Sequence, residues 1–255
     1  MECIEKHIEE RDDIIEGRNT VIEALRAGVS VDKVFIARGD TDKTLRHIAS
    51  KARDAAAVVV EVDKRKLDQM SVTHSHQGVI AMVASAEYVS VSQILDIAES
   101  KGEKPLIVIC DGISDPHNLG AIIRTCEAVS AHGVIIPKRR SAGLSAIVAK
   151  TSGGAVFHTA VARVANLSAT IKELKSKGVW VVGAAADADT TVWEADFTVP
   201  TAFVIGSEGS GIGRLVGEVC DYKAKIPMEG KLSSLNASVS AAIFLFEARR
   251  QRLSR

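Results

Sequence analysis

Three groups of residues have types and spacing that could hold a ligand or take part in catalysis. The first is the glycine-rich segment GSEGSGIG, Gly206–Gly213, which directly follows an apolar run typical of a strand. Glycines at such a point let the backbone approach a ligand closely and present N–H groups to it. The segment fits neither the phosphate loop G-x-x-x-x-G-K-[ST] nor the dinucleotide spacing G-x-G-x-x-G, so a conventional dinucleotide fold is disfavoured. A tight turn with a solvated Glu208 explains the spacing equally well.

A second group, DPHNLGAIIR, occupies Asp115–Arg124 at the predicted start of a helix. Asp115 or Asn118 suits the N-cap, and the proline between them suits the first turn. Arg124 then emerges about two turns along a largely apolar helix. It could pair with Glu127 on the same helix face, or its guanidinium could clamp an anion such as a phosphate.

A third group, IPMEGKLSSLNASVS, occupies Ile226–Ser240 and crowds small polar side chains at the predicted start of the last helix. These side chains belong to Ser233, Ser234, Asn236, Ser238 and Ser240. Ser234 is a natural N-cap, but five polar groups exceed what one cap requires. They could line the floor of a pocket, and the sequence leaves capping and pocket lining both open.

Other kinds of site have little support in the sequence. His74 and His76 form the only close histidine pair and lack a third ligand at motif spacing, so we expect no metal site. The four cysteines contain no C-x-x-C pair, which argues against zinc and redox motifs. Neither a G-x-S-x-G motif nor a paired-carboxylate arrangement is evident.

The composition indicates a globular protein of the cytoplasm. Of the 255 residues, 46% are hydrophobic and 25% are charged, values that are average for soluble proteins. The charged N-terminus has no apolar signal segment, and apolar runs such as Leu106–Cys110 are too short to span a bilayer. Cysteines scattered through apolar runs are typical of reduced thiols. Because only 4% of residues are aromatic, stacking of bases is disfavoured as the main mode of recognition.

Strands and helices alternate in two regions of the chain, which predicts an α/β protein with two domains. We predict an acidic tail over residues 1–16, a small domain over 17–86, a linker over 87–103 and a larger domain over 104–255. The tail holds 7 acidic and 2 basic residues, whereas the whole chain has a formal net charge of zero. The larger domain is moderately basic, which permits nucleic-acid binding without requiring it.

Taken together, the three groups resemble the ordered motifs of the SpoU/TrmH RNA ribose methyltransferases. The matching patterns are N-L-G-A-x-x-R at Asn118–Arg124, F-V-x-G-S-E-G-x-G at Phe203–Gly211 and I-P-M-x-G-x-x-x-S-L-N-x-S-V-S at Ile226–Ser240. In the first domain, GRNTVIEALRAG and THSHQGVIA resemble the substrate-binding domain of the same family. The two-domain layout resembles the RlmB-like subgroup, which methylates a guanosine of large-subunit rRNA.

This resemblance implies a C-terminal α/β-knot, a trefoil knot in which the C-terminal segment threads a loop, beside a smaller N-terminal α/β RNA-binding domain. It implies S-adenosylmethionine as the cofactor, and RNA and a second copy of the chain as partners, with neither DNA nor a membrane expected. The implied cofactor-binding positions are Gly206, Ile226, Met228 and Leu235. The implied catalytic and active-site positions are Asn118, Arg124, Glu208, Ser234 and Asn236.

Methyl transfer to a ribose hydroxyl depends mainly on positioning the hydroxyl and removing its proton. Arg124 is a poor general base because its pKa lies above about 12, so we expect it to clamp a substrate phosphate. Ser234 and Asn236 would orient the ribose and cofactor, and Glu208 would hold Arg124 or Asn118. A tRNA methyltransferase and a non-catalytic ribosome-assembly factor are the alternatives. The intact motif residues argue against the second.

Overall fold

The N-terminal domain is built on a small mixed sheet. The computed structural model describes residues 14–29, 31–39, 42–83, 87–231 and 234–253. The strands of this domain are β1 Ile14–Glu16, β2 Val31–Ala37, β3 Val58–Val62 and β4 Val79–Val83, and its helices are α1 Arg18–Arg26, α2 Lys43–Asp54 and α3 Lys64–Met70. Among the described residues the strand order is β1-β4-β2-β3, in which β2 and β3 are parallel and the other two pairs are antiparallel.

Strand β1 lies inside the region that the sequence assigns to the acidic tail, so that boundary is wrong for Ile14–Glu16. All three residues are buried, and they pair with β4. Glu16 is tolerated there because its carboxylate accepts hydrogen bonds from the Ser71 hydroxyl and from the backbone N–H groups of Val72 (3.1 Å) and Thr73 (2.6 Å). Residues 1–13 lie outside the described residues.

The predicted linker over 87–103 also requires correction, because it contains a full helix, α4 Val91–Ser100. Ser90 and Gln93 form a capping box at its start. Its apolar face, Val91, Ile94 and Ala98, is buried, and Ile94 packs so closely on Gly133 that a side chain there would not fit. Helix α4 is therefore part of the core of the second domain. The sequence indicates only one amphipathic turn, Val91–Ile97, and the polar segment after it favours a linker, whereas the helix continues to Ser100.

The second domain contains a larger, wholly parallel sheet. Its strands are β5 Leu106–Asp111, β6 Gly133–Pro137, β7 Val161–Val164, β8 Trp180–Ala184, β9 Thr190–Thr191, β10 Thr201–Gly206 and β11 Tyr222–Lys225. Its remaining α-helices are α5 Pro116–Ala128, α6 Ala146–Thr151, α7 Leu167–Ser176, α8 Arg214–Gly217 and α9 Ala237–Leu253. In the part of the chain that is described, the strand order is β7-β6-β5-β10-β8-β11-β9, and the predicted α/β fold class is confirmed.

The order of the strands indicates the end of the sheet at which a ligand would bind. Connections run outward from β5 through β6 to β7, whereas β10 and β8 lie on the other side of β5. Ligands of open parallel sheets bind at the carboxyl ends of strands where the order reverses. Phe203 of β10 packs against Phe197 and Phe244, with ring centroids 4.9 and 5.3 Å away, which fixes α9 against this part of the sheet.

The two domains contact each other directly. Lys150 of α6 donates hydrogen bonds to the Thr73 hydroxyl (2.7 Å) and to the Ser75 carbonyl in the N-terminal domain. Gly154 has φ +90°, and its Cα faces Glu23 of α1 so closely that no Cβ could be accommodated. No helix within the described ranges is long and apolar enough to cross a membrane.

Candidate active site

The glycine-rich segment forms a closed loop at the end of β10. Ser207 and Gly211 exchange two backbone hydrogen bonds, of 3.1 and 2.8 Å. A Cβ on Gly206 would lie under 3.0 Å from the backbone of Gly211 and Ile212, whereas a Cβ on Gly209 would meet nothing within 4 Å. Gly206 is therefore required by the packing of the loop on itself, and Gly209 is not.

Asp111 anchors the far end of this loop and was missed in the sequence. It is the last residue of β5, next to Gly206 in the register of the sheet. Its carboxylate accepts a hydrogen bond of 2.7 Å from the backbone N–H of Gly213. An acidic residue at the carboxyl end of a buried strand was the available signal.

A cavity of about 810 Å³ opens between this loop and the segment after β11. All four predicted cofactor positions, Gly206, Ile226, Met228 and Leu235, line it. Glu208 and Ser234 line the same cavity. The structure thus brings together the first and third sequence groups, which are separated by twelve residues in the chain.

The opposite wall of the cavity is a segment to which the sequence analysis assigned no role. It comprises Ala184, the last residue of β8, and the three residues that follow, up to Asp187. Its three alanines leave room beside the strand end, and Asp187 pairs with Lys223 at 3.6 Å. A run of small residues after a buried parallel strand would have pointed to this wall.

Three predicted catalytic positions form one hydrogen-bonded network. The Asn118 amide donates to Glu208 Oε1 at 2.9 Å, and the Asn236 amide donates to Asn118 Oδ1 at 2.9 Å and to the same Glu208 oxygen. The carboxylate is thereby fixed by two amide donors from different helices. Because Glu208 also lines the cavity, the network borders the ligand site.

Asn236, not Ser234, caps helix α9, so the N-cap predicted at Ser234 is wrong. Asn236 Oδ1 accepts hydrogen bonds from the backbone N–H groups of Ser238 (2.9 Å) and Val239 (3.3 Å), and from the Ser238 hydroxyl (2.6 Å). One side chain thus caps the helix with its oxygen and holds Glu208 with its nitrogen. Ser234 is left exposed at the cavity. Ser233 lies outside the described residues.

Arg124 is separated from the cavity of its own chain. It lines a second cleft of about 580 Å³ between the two domains, beside Ser152 and Gly153. It forms no ion pair with Glu127, nor with any other carboxylate that the structure describes. Its contact with Glu208, which the sequence suggested as one possibility, is absent from the described contacts, whereas the Glu208–Asn118 contact is present.

An apolar groove lies between α5 and α9, close to both the network and Arg124. It is lined by Ala121, Thr125, Ser238, Val239, Ala242, Ile243 and Phe246. Two of its large side chains are exposed, Val239 by 46% and Phe246 by 55%. Exposed apolar side chains that adjoin one another are typical of protein contact surfaces.

Cysteine and tyrosine side chains near the cavity are poor nucleophiles or bases at neutral pH. Burial, together with the Asp111 carboxylate, raises the pKa of the Cys110 thiol to about 12. Burial and nearby carboxylates raise the pKa of Tyr222 to about 12. The reactive form of a thiol is the thiolate, so a covalent intermediate on Cys110 is disfavoured. No group of three or more metal-ligating side chains occurs among the residues that the structure describes.

Comparison with known proteins assigns the family. The sequence pattern of the SpoU rRNA Methylase family matches residues 105–246, and the pattern for RNA 2'-O ribose methyltransferase substrate binding matches residues 14–89. The chain is 46% identical over 240 residues to YacO of Bacillus subtilis, which is named for the TrmH family of tRNA/rRNA methyltransferases; the match covers 94% of this chain and 96% of YacO.

Two solved structures share the fold over nearly the full length. The SpoU methyltransferase AviRb of Streptomyces viridochromogenes, in complex with AdoMet, superposes with a TM-score of 0.80 at 27% identity, covering 95% of this chain and 91% of AviRb. An AdoMet-bound rRNA methyltransferase of Sinorhizobium meliloti has a TM-score of 0.76 at 26% identity, covering 93% and 86% of the two chains. The chain therefore belongs to the SpoU family of RNA methyltransferases.

Proposed function

We propose that this protein transfers a methyl group from S-adenosylmethionine to the ribose 2′-hydroxyl of a guanosine in large-subunit rRNA. The observation that carries the proposal is the cavity at the end of β10, bordered by the Asn118–Glu208–Asn236 network. Membership of the SpoU family and the AdoMet complex of the similar protein AviRb support the cofactor. An enzyme that modifies ribosomal RNA would act in the cytoplasm.

The residues of the cavity fit this cofactor. Its volume is within the usual range for small-molecule sites, about 300–1,000 Å³. Ile226, Met228 and Leu235 offer apolar surface to an adenine ring, and the loop that starts at Gly206 offers backbone polar groups to the amino-acid part. When bound, S-adenosylmethionine supplies a methyl group on a positively charged sulfur.

The chain's own residues would position the ribose and the phosphate next to it. In the transfer, the new bond joins the methyl carbon to the ribose oxygen, the bond to sulfur breaks, and the hydroxyl proton leaves to a phosphate oxygen or a water. Arg124 binds the substrate phosphate through its guanidinium fork and lowers the cost of that proton transfer. Ser234 orients the hydroxyl at the cavity. Asn118 and Asn236 hold Glu208 in one orientation beside it.

The active unit would be a homodimer with composite sites. Within one chain, Arg124 lines the interdomain cleft and not the cavity that would hold the cofactor. A second copy docked on the apolar groove between α5 and α9 would cover Val239 and Phe246 and bring an Arg124 toward the neighbouring cavity. Sedimentation equilibrium should then give twice the chain mass of 27.1 kDa.

Mixing two inactive chains tests the shared site. An Arg124→Ala chain keeps its cavity, and a Gly206→Trp chain, whose cavity is blocked, keeps its arginine. Partial recovery of activity on mixing would support a site built from both copies. A fully active monomer would refute the dimer, and a dimer without recovery would refute only the shared site.

A tRNA substrate is the second candidate, because relatives such as YacO are named for both tRNA and rRNA. The rRNA is favoured because the similarity to the rRNA methyltransferase of S. meliloti includes the N-terminal domain. Mass mapping of ribose methylation in rRNA and tRNA from a strain that lacks the gene separates the two. Loss of one methylated guanosine in large-subunit rRNA supports the proposal, and loss in tRNA alone refutes it.

A further inference from the structure

A cluster of positive charge lies at the same edge of the sheet as the cavity. It is the turn Lys138–Arg140, called the basic turn below, which directly follows β6. We propose that the basic turn binds phosphates of the RNA strand next to the methylated nucleotide, outside the reaction site itself. This inference rests on the proposed function, since it names the surface that holds the flanking RNA.

No carboxylate among the described residues neutralises the charges of the basic turn. Lys138, Arg139 and Arg140 are all exposed, and none of them forms an ion pair with a carboxylate that the structure describes. Other exposed arginines are paired: Arg26 and Arg214 each contact a glutamate at 2.6 Å. Three adjacent cations without a carboxylate partner create a local positive potential that attracts a polyanion.

Two hydrogen bonds fix the backbone of the basic turn. Lys138 donates its N–H to the Val164 carbonyl at 2.8 Å, and its own carbonyl accepts a hydrogen bond of 3.2 Å from the Arg163 guanidinium. Arg140 has φ +58°, a left-handed conformation that a glycine or asparagine would adopt more easily. The fixed backbone therefore sets the point at which the exposed Arg140 side chain leaves the turn.

Tyr88 fixes the segment that follows the basic turn. Its hydroxyl accepts a hydrogen bond of 2.9 Å from the Leu144 N–H. The Arg163 guanidinium lies over its ring, 5.4 Å from the centroid. Arg163 is itself exposed, so it adds a fourth positive charge beside the turn.

The basic turn lies within reach of a strand that leaves the reaction site. Strand β6 pairs with β5, and β5 pairs with β10, so the end of β6 is two strand spacings, roughly 10 Å, from the end of β10. The Ala142 N–H also donates to the Ile113 carbonyl at 2.8 Å, in the loop that leads to Asn118. A ribose held beside Asn118 therefore has its neighbouring phosphates near this turn.

Phosphate matches the geometry of these side chains. Arg139 and Arg140 can each form a two-pronged contact with phosphate oxygens, and Lys138 adds a point charge. Because exposed contacts to backbone phosphate carry no base information, the turn would raise affinity without selecting the nucleotide.

The test compares two double variants of the full-length protein. Arg139→Gln with Arg140→Gln removes two charges from the basic turn. Lys101→Gln with Lys104→Gln removes two exposed charges at the opposite, amino-terminal edge of β5, and neither lysine has an ion-pair partner among the described residues. The probe is an unmethylated transcript of large-subunit rRNA, and its affinity is measured over a series of salt concentrations.

For the turn variant, we expect at least a tenfold loss of affinity and a fall of about 1.4 in the salt-dependence slope, about 0.7 for each phosphate that is no longer bound. KM for RNA should rise in proportion, with kcat and S-adenosylmethionine affinity within twofold of wild type. An unchanged slope, or an equal loss in the lysine control, would overturn the inference. If the turn variant loses affinity and slope as expected but the wild-type protein methylates no RNA, the role of the basic turn is upheld and the proposed function fails.

Discussion

Replacing Gly206 by alanine should weaken cofactor binding through a purely steric effect. Its φ is not among the positive values of this chain, so alanine can adopt the backbone conformation. The added methyl carbon, however, would lie under 3.0 Å from the backbone of Gly211 and Ile212. Ordinary carbon contacts are about 3.5–4.0 Å, so the loop must move outward by roughly 1 Å.

The cost of this movement follows from the bonds that close the loop. The two backbone hydrogen bonds between Ser207 and Gly211 would lengthen or break. Each contributes about 0.5–1.5 kcal/mol, which gives a total of about 1–3 kcal/mol. At 1.4 kcal/mol for each factor of ten, we expect S-adenosylmethionine affinity to fall roughly 5- to 140-fold.

Gly209→Ala is the matched control in the same loop. A methyl group there meets nothing within 4 Å, so the loop should keep its shape. Both variants are titrated with S-adenosylmethionine in a calorimeter, and their thermal unfolding confirms that each is folded. Equal affinity for the two variants would refute the proposed role of Gly206 in shaping the cavity.

Three further predictions concern residues outside this loop. Arg124→Lys should lower kcat more than tenfold and leave S-adenosylmethionine affinity within twofold, because a point charge does not replace the guanidinium fork; steady-state kinetics showing more than a tenth of wild-type activity would contradict a phosphate clamp. Asn236→Asp should keep the cap on α9 but lose methyl transfer, because it places a second carboxylate beside Glu208. Asn236→Ala should lose methyl transfer and also about 1 kcal/mol of stability, because the cap is removed. Unfolding curves and activity assays together separate the capping role from the role in the Glu208 network. Burial alone would raise the pKa of Glu16, but hydrogen bonds from Ser71 and Thr73 outweigh it and hold that pKa below its ordinary value of 4.5. The stabilisation relative to Glu16→Gln should therefore be present above pH 4.5 and disappear as the pH falls through the lower, folded-state value, and denaturant titrations that show a difference independent of pH would refute it.

The sequence predicts most of the residues around the cavity but few of the long-range contacts that hold them in place. Glycine spacing and polar crowding point to Gly206 and to Ile226–Ser240, and the structure places both around one cavity. These signals are local in sequence, because a tight loop and a helix start depend on the residues that form them. The acidic residue at the end of β5 marks Asp111, but its contact joins residues 102 positions apart, so the sequence does not indicate that its partner is Gly213.

The incorrect boundary of the acidic tail and the incorrect linker over 87–103 have the same physical origin. Strand β1 is only three residues long and follows a charged segment, and α4 precedes a polar one. In both places tertiary packing supplies the stability, through pairing with β4 and through burial of Ile94. Average polarity of a segment is a poor guide where a few apolar residues are buried by distant parts of the chain.

The separation of Arg124 from the cavity is also beyond the reach of sequence patterns. The motif spacing groups Arg124 with Asn118, six residues before it on α5. A helix turns about 100° for each residue, so this spacing places the two side chains on different faces. Helix α5 therefore contributes Asn118 to the Glu208 network and Arg124 to the interdomain cleft.

The most direct test of the central claim is to determine which atom of the RNA receives the methyl group. The full-length protein is incubated with methyl-labelled S-adenosylmethionine and unmethylated large-subunit rRNA, and the product is hydrolysed in alkali, which needs a free 2′-hydroxyl to cleave the chain. We predict that the label appears in an alkali-stable dinucleotide that begins with guanosine, and that the Asn236→Asp protein yields none. Label recovered in single nucleotides, as base methylation would give, or no transfer to any RNA, would contradict the assignment of ribose methylation to this site.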